Sequence, residues 1–532
     1  MTKIRIKTEM RFDLKLPLFV FVLLTSLIST AQKPLNPPKD RGAKSSIEIL
    51  YADSLSGIEG NVTFRRFVGN VAFKHNGVVL KCDLALQNMT TNTLESFGRI
   101  KIIQGDTLTI TGDTLYYDGN NRFARILGRK VVLKDKKVTL TTKQINYNIP
   151  ISSAYYPVKG YIVQDSSTLV SNQGTYNTRT KIFNYIGDVE IKSPTILLCT
   201  DTLDYNSNTY DAFFQSKTTI TSADGIASAD KGKYNTKSKV SKFQGRSSIA
   251  SATYILEADT LTYDEKSQLG IGKGHVRFES FKDSVTIFSD KGIRKGAIGE
   301  TYMDGQALLI RKTNADSLFI NAKHFITYEK VDSTKKTDEQ EFKLLIAYDS
   351  VRVWRHDFQS VSDSLRYDLL DSTIHFLKNP ILWGKNNQMK ADTIVSFLEN
   401  NKLRKIHLIT NGFVIAPDTL LNYNQVSARQ INAYISKEDG SLEKVLANGN
   451  GETLYYAIDE NNKMIGLNRV ESSEMQIDFK RNEVQIIRFS GNPDAKLSPP
   501  KLIDQQEARL EKFELFENLR PFKPLFLPVN VK

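Results

Sequence analysis

Side chains that carry catalysis or bind metals are scarce in this 532-residue sequence. Its six histidines, at positions 75, 275, 324, 356, 375 and 407, are scattered and show no spacing typical of a metal site. There is no G-x-S-x-G nucleophile motif and no glycine-rich loop suited to phosphate. The regularly placed carboxylates recur in unit after unit, whereas a catalytic pair needs to occur only once. We therefore predict a protein that is not an enzyme and that uses no metal or other cofactor.

Long apolar runs are absent after the first 31 residues. Basic residues precede the apolar run Leu16–Leu24, and Ser29-Thr-Ala31 is a small-residue cleavage site. This pattern is typical of a secretory signal peptide, with an uncleaved anchor as the alternative. We predict an exported protein, with a signal peptide over residues 1–31 and a proline-rich linker over residues 32–47.

Only two cysteines are present, and export makes a disulfide between them worth testing. Cys82 stands one residue before Asp83, whereas Cys199 stands two residues before Asp201. Alternate residues of a strand point to opposite faces, and the two positions are about four units apart. We expect two free, largely buried thiols.

The sequence has a strong repeat. The stretch Gly112-Asp-Thr-Leu-Tyr-Tyr-Asp-Gly119 recurs, and Tyr117 has counterparts at 147, 176, 205, 234 and 263. The steps are 30, 29, 29, 29 and 29 residues. A second landmark, a glycine followed by alternating apolar residues, begins at Gly69, Gly98, Gly187 and Gly274. A fixed period of this length is typical of stacked structural units, each here with at least two strands.

Alternation within each unit indicates β-strands with one buried face. Leu108 and Ile110 alternate with threonines, and Leu115 and Tyr117 continue the pattern. The pairs Gly112-Asp113 and Asp118-Gly119 are typical of turns. The sequence therefore predicts an all-β fold of antiparallel strands, each about five to seven residues long.

The last part of the chain departs from the repeat, which loosens from about residue 281. The charged segment 329–342 is predicted to be a loop. Within the proline-rich tail 493–532, Asp504-Gln-Gln-Glu507 is typical of a helix N-cap. Leu510, Phe513, Phe516 and Leu519 then recur every three residues. We predict a short amphipathic C-terminal helix that either caps the last strand or docks a partner protein.

The net charge of +13 suits an anionic partner, although acidic residues are interspersed and an ordinary mixed surface is the alternative. The triplets Asp-Ser/Thr-Leu resemble a bacterial O-glycosylation acceptor, or they begin strands after a turn residue. They occur at 53–55, 106–108, 113–115, 201–203, 259–261, 316–318, 363–365 and 418–420.

Two segments carry a resemblance to a known family. Gly69-Asn-Val-Ala-Phe-Lys-His-Asn-Gly-Val-Val-Leu-Lys-Cys-Asp83 and Gly98-Arg-Ile-Lys-Ile-Ile-Gln-Gly-Asp-Thr-Leu108 resemble the OstA-like (organic solvent tolerance, LptA-type) domain. The resemblance is clearest over residues 48–190, the expected N-terminal β-jellyroll, and continues in diluted repeats over 191–492. The array is longer than a minimal transport domain, and no membrane barrel is expected after it.

The resemblance implies an elongated antiparallel β-jellyroll, an open "taco" of two sheets with an apolar interior. Family members carry lipopolysaccharide through the periplasm with its acyl chains in this groove. The implied partners are lipopolysaccharide and other OstA-like domains or a second copy joined by edge strands, and not nucleic acid. The implied groove residues, for which ordinary core packing is the alternative, are Val71, Phe73, Leu80, Leu84, Ile100, Ile102, Leu108, Ile110, Leu115, Tyr117, Val131, Leu133, Leu140 and Ile145.

Two other functions fit the same repeat. A structural or adhesive β-solenoid would have a dry, filled core and no ligand. A β-helical polysaccharide lyase or hydrolase would need one non-repeating cluster of charged residues, and the sequence shows none. The cross-section distinguishes the first from a carrier, because a carrier needs an open apolar groove.

Overall fold

The computed structural model describes residues 45–58, 61–312, 317–331, 340–418, 420, 422–459, 463–480, 483–504 and 506–526. Residues 47–532 form one compact unit, and of the other unit, 1–46, only residues 45 and 46 are described. The predicted signal peptide and most of the predicted linker therefore lie outside the described residues. The part of the chain that is described contains no helix with the length and apolar character needed to cross a bilayer.

The described residues form 36 strands. The first half comprises β1 (Glu48–Tyr51), β2 (Ser54–Ile58), β3 (Asn61–His75), β4 (Val78–Asn88), β5 (Thr93–Gln104), β6 (Leu108–Asp118), β7 (Phe123–Asp135), β8 (Val138–Asn148), β9 (Ser153–Tyr156), β10 (Gly160–Gln164), β11 (Ser167–Ser171), β12 (Gln173–Asn177), β13 (Ile182–Lys192), β14 (Ile196–Asn206), β15 (Asp211–Phe214), β16 (Thr218–Ser222), β17 (Gly225–Ala229) and β18 (Lys231–Asn235).

The second half comprises β19 (Val240–Ala250), β20 (Tyr254–Asp264), β21 (Leu269–Ser280), β22 (Val285–Lys295), β23 (Glu300–Lys312), β24 (Ser317–Val331), β25 (Gln340–Trp354), β26 (Gln359–Asp368), β27 (Thr373–Leu377), β28 (Ile381–Trp383), β29 (Gln388–Lys390), β30 (Thr393–Glu399), β31 (Lys402–Pro417), β32 (Tyr423–Ile435), β33 (Leu442–Ile458), β34 (Met464–Lys480), β35 (Glu483–Ser490) and β36 (Asp494–Ser498). Short 3₁₀ turns span Gly296–Ile298, Pro500–Leu502, Glu517–Leu519 and Lys523–Phe526.

Most strands are longer than predicted because each bends in its middle instead of turning back. β6 continues through Gly112-Asp113, where a turn was predicted. It has a β-bulge there, because the pairing register with β7 shifts between Thr111 and Thr114. Asp118-Gly119 does end the strand. Such a bulge bends the strand and divides it into two arms. Two neighbouring bent strands make one period of 29 residues.

The arms belong to two facing layers. Sheet A contains the arms 71–75, 78–82, 100–104, 108–111 and their successors, and sheet B contains 64–68, 84–88, 93–97, 114–118 and theirs. Pairing is antiparallel throughout the described strands. In several repeats the two arms are separate strands, as for β9 in sheet B and β10 in sheet A.

Several bends combine a glycine with an aspartate on the neighbouring strand. Gly98 has a φ of +73°, and a Cβ there would lie 2.5 Å from a carboxylate oxygen of Asp83. The Arg99 Nε donates a 2.8 Å hydrogen bond to the same carboxylate. Gly274 and Asp259 repeat the arrangement, with 2.4 Å between the Cβ position and the carboxylate oxygen. The recurrent aspartates therefore have a structural role at the bends.

The inner faces of both sheets share one hydrophobic core, which extends from Ile47 to Ile477 and so through both predicted β regions. Inward side chains are buried and their strand neighbours are more exposed, as alternation predicts. Neither cysteine is paired, as predicted: Cys82 is buried and Cys199 is half-buried.

The prediction of a loop over the charged segment can be checked only at its two ends, and the prediction of a C-terminal helix is wrong. Residues 332–339 of the charged segment lie outside the described residues, and 329–331 and 340–342 on either side continue strands rather than a loop. The described residues of the tail form no α-helix. They form an extended segment with 3₁₀ turns, because the apolar side chains find their partners on the outside of sheet A.

Replacing Gly98 with Ala should lower the free energy of unfolding by about 2 kcal/mol or more. The left-handed conformation costs an alanine about 1–2 kcal/mol, and overlap with Asp83 adds to this cost. Gly105→Ala is the matched control, because Gly105 has a φ of +61° but no atom within 4 Å of its Cβ position. Urea unfolding followed by circular dichroism measures both variants. If Gly98→Ala and Gly105→Ala lower the free energy of unfolding equally, the contact with Asp83 does not contribute.

Candidate functional site: an open cleft between the sheets

The free ends of the arms meet along a seam of polar contacts that joins sheet A to sheet B. The bonded residues are 41 to 46 positions apart, or about one and a half periods. The contacts are His75 Nδ1 with Tyr117 OH (2.6 Å), Tyr147 OH to Gln104 (2.5 Å), Tyr176 OH to Asp135 (2.8 Å), Gln164 Nε2 to the Ser207 carbonyl (2.8 Å), Lys239 Nζ to Thr195 Oγ1 (2.7 Å) and Arg355 Nη2 to the Asn401 carbonyl (2.6 Å).

Burial keeps the seam tyrosines neutral. It raises the pKa of Tyr117 to about 12. Burial, together with the hydrogen bond to the Asp135 carboxylate, raises the pKa of Tyr176 well above the usual range. These hydroxyl groups therefore remain protonated at neutral pH, and the seam does not depend on their ionisation.

A buried ion pair strengthens the middle of the seam. Arg294, in sheet B, forms two hydrogen bonds of 2.8 and 2.9 Å to Glu329, and its guanidinium lies 4.3 Å from the ring centre of Tyr254 in sheet A. Burial opposes the charge of Arg294, but the paired bonds to Glu329 outweigh it and raise its pKa. The pair satisfies charges that would otherwise be costly inside the protein.

A cleft of about 1220 Å³ opens beside the last of these contacts, and Arg355 and Asn401 both line it. Its floor is apolar and comes from both sheets. Val414 and Phe479 in the floor are only partly buried, so apolar surface is accessible here. The principal floor residues are Leu403, Ile406, Leu408, Val414, Ala416, Ile431, Ala433, Ile435, Leu442, Val445 and Phe479.

The lips of the cleft are strand-connecting loops rich in positive charge. Eight lysines and arginines and four acidic residues line it: Lys282, Arg311, Lys312, Arg355, Lys385, Lys402, Arg404 and Lys437 against Asp283, Asp357, Glu438 and Asp439. Lys312, Lys385 and Lys402 are exposed and form no ion pair with the described residues. An apolar floor beneath free cations suits a ligand with apolar chains and an anionic headgroup.

The fourteen groove residues inferred from the resemblance lie instead on β3 to β8, in the part of the jellyroll that precedes the cleft residues and that we call the closed section. Thirteen of them are buried in the core, Leu84 is half-buried, and none lines the cleft. The cleft residues were missed because their repeats are irregular. The one available sequence signal was that loosening beyond residue 281, together with the lysines and arginines between strands.

Two family models match the chain. Residues 44–199 match the family described as OstA-like protein, and residues 168–269 match the family described as LptA/(LptD N-terminal domain) LPS transport protein. Residues 44–199 are therefore similar to an OstA-like domain. The matches confirm the resemblance inferred from the sequence and support a relationship to lipopolysaccharide-transport proteins. They cover the closed section and end before the cleft.

Comparison with solved structures finds LptH from Pseudomonas aeruginosa, the LptA-homologous periplasmic component of its lipopolysaccharide transport device. The two are 17% identical, the alignment covers 20% of this chain and 81% of that chain, and the TM-score is 0.20. No curated protein matches. The all-β antiparallel fold expected for the OstA-like domain is present in the described residues.

Breaking the buried ion pair of the seam should be costly. Arg294→Met is expected to lower the free energy of unfolding by about 3–5 kcal/mol, because it leaves Glu329 charged and buried. The double variant Arg294→Met/Glu329→Leu should recover most of this loss. The control is Lys323→Met, because the ion pair between Lys323 and Asp349 is exposed and its loss should change the free energy of unfolding little. A double variant no more stable than Arg294→Met would contradict the coupling.

Proposed function

We propose that this protein is a periplasmic, non-enzymatic lipopolysaccharide-binding transport protein that holds acyl chains in the cleft. The observation that carries the proposal is the apolar floor of the cleft between lips that hold Lys312, Lys385 and Lys402, which form no ion pair with the described residues. Burial of an acyl chain contributes about 0.8 kcal/mol per CH₂ group. The lip cations would meet the phosphates of the headgroup. No covalent step is needed.

The closed section has a place in the same proposal. Thirteen of its fourteen inferred residues face the interior of the jellyroll, and acyl chains would reach them where the polar seam parts. Leu84 is the exception, because its neighbour Ala85 is the inward residue. Their present packing favours the second candidate, a structural β-solenoid with a dry core, for that section. Photo-crosslinkers at Ile110 and Leu115 separate the two, because only a carrier would give adducts with lipopolysaccharide there.

The proposal also includes partners at the ends of the array. Sheet edges expose backbone groups that can pair with another strand. Ile49 and Leu50 on β1, and Val484 and Ile486 on β35, are exposed apolar side chains at the two ends. Other OstA-like domains or a second copy would extend the jellyroll by pairing with these strands.

Placing a charge in the floor of the cleft should weaken the binding of acyl chains. Val414→Asp is expected to weaken binding of lipid A to the purified protein at least about tenfold, since a carboxylate would face the acyl chains. Val170→Asp is the control, because Val170 is half-buried on the outer face of sheet A, away from the cleft. Fluorescence titration measures both affinities. Equal affinities in the two variants would refute the cleft as the lipid site.

Reversing charge on the lips should affect the headgroup alone. Lys312→Glu/Lys385→Glu/Lys402→Glu is expected to weaken binding of bisphosphorylated lipid A about tenfold or more and to reduce its salt dependence. Binding of dephosphorylated lipid A should be unchanged. The control reverses three exposed lysines of the closed section, Lys81, Lys101 and Lys134. Equal losses for both lipids would contradict phosphate recognition.

A further inference from the structure

The C-terminal segment crosses the outer face of sheet A, on the opposite side of that sheet from the cleft. We call the described residues between 499 and 526 the strap. Leu510 packs into an apolar patch that includes Phe413, Ile415 and Leu454. Phe526 packs into a second patch, with Leu308 and Phe319. The strap thus runs from β31–β34 back to β23 and β24.

Two buried glutamines hold the strap by its backbone. Gln425 Nε2 donates to the Ala508 carbonyl (3.0 Å), and its Oε1 accepts from the Leu510 N–H (2.8 Å). Gln388 does the same for the Glu514 carbonyl (2.7 Å) and the Phe516 N–H (2.8 Å). A side-chain amide that both donates and accepts in this way replaces the missing strand partner of the strap.

A third glutamine completes the series. The Arg520 Nε donates a 2.9 Å hydrogen bond to Gln359 Oε1, and the Arg520 Nη2 donates to the Gly384 carbonyl (2.8 Å). Gln359, Gln388 and Gln425 lie on β26, β29 and β32, which are every second strand of sheet A in this region. Their partners on the strap, from 508 to 514 to 520, follow in steps of six residues.

Where the strap covers sheet A, the outward side chains are more buried than the inward ones. In the sheet A arm of β31, the outward Phe413 and Ile415 are 3% and 2% exposed, whereas the inward Val414 and Ala416 are only partly buried and line the cleft. In the closed section the inward Leu108 and Ile110 are the buried ones, with threonines outside. Beside the cleft, the apolar side chains of sheet A are therefore buried mainly on its outer face, by the strap.

We propose that the strap is a brace that holds the cleft open, with Gln359, Gln388 and Gln425 as its positioning residues. Two facing sheets close on one another to bury their inner faces. Where the strap already buries apolar side chains of sheet A, less drives that sheet towards sheet B, and the gap remains. The importance of this brace for lipid binding rests on the proposed function, but its effect on the cleft does not.

The aperture can be measured without lipid. Spin labels at Lys385→Cys, on the sheet A lip, and Lys402→Cys, on the sheet B lip, report the width of the cleft by pulsed electron paramagnetic resonance. The labelled variant also carries Cys82→Ser and Cys199→Ser, so that only the two new cysteines are labelled. Gln388→Leu/Gln425→Leu leaves an uncharged side chain of comparable size at each position and removes four hydrogen bonds to the strap. We expect the distance between labels to shorten by about 5 Å, half of the roughly 10 Å spacing of packed sheets.

Gln476→Leu is the matched control, because the Gln476 amide lies on sheet B and bonds to Asp478 instead of the strap. It should leave the distance unchanged. Hydrogen exchange of residues 506–520 shows whether the strap is released. Release with an unchanged distance would overturn the brace, and a strap that stays protected would overturn the role of the glutamines. A chain ending at Ser498 then tests the brace alone, and an unchanged distance would refute it.

Lipid binding gives the separate test. Lipid A affinity should fall about tenfold in Gln388→Leu/Gln425→Leu and remain at the wild-type value in Gln476→Leu. If the wild-type protein binds no lipid A while the labels still move together on release of the strap, the proposed function fails and the brace stands.

Discussion

Backbone strain at the bends is the constraint on which this architecture depends. Where a glycine makes the bend between sheet A and sheet B, as at Gly98 and Gly274, the backbone adopts a positive φ, and the missing Cβ leaves room for the aspartate of the neighbouring strand. Because several of these glycine bends lie opposite an aspartate at matching positions of successive strands, they follow one line. The arms on either side of it then keep a common register, and their inward side chains share one core.

The far ends of the arms have no covalent link across the core, so side chains decide whether they meet. Between residues 75 and 401 they do, through polar contacts whose two residues are about one and a half periods apart in the sequence. Tyrosine suits this seam because its ring fills the core while its hydroxyl reaches a partner on the opposite sheet. Beside Arg355 and Asn401 the cleft begins, and its lips carry Lys312, Lys385 and Lys402, for which the described part of the chain provides no ion pair.

Thirteen of the fourteen residues expected to point inward are buried, because a period of two depends on the backbone of a single strand. Leu84 is the exception, since its neighbour Ala85 is the buried residue. The predicted turn at Gly112-Asp113 was wrong for a related reason: a glycine next to an aspartate suits a bend and a turn equally well. The C-terminal helix was also wrong. Leu510 and Phe513 contact sheet A, but Leu519 is exposed, so the spacing of three reflects anchoring of an extended segment.

The sequence by itself determined the repeat, the all-β class, the Asp and Gly positions at the bends and the inward face of each strand. All of these follow from interactions within a strand or between chain neighbours. Only the tertiary structure decided where the interior is closed and where it is open. That depends on contacts between arms more than forty residues apart, and on a strap whose Glu514 carbonyl is bound by Gln388, 126 positions earlier. Local periodicity does not predict such distant packing, because the same residues face inward whether the interior is closed or open.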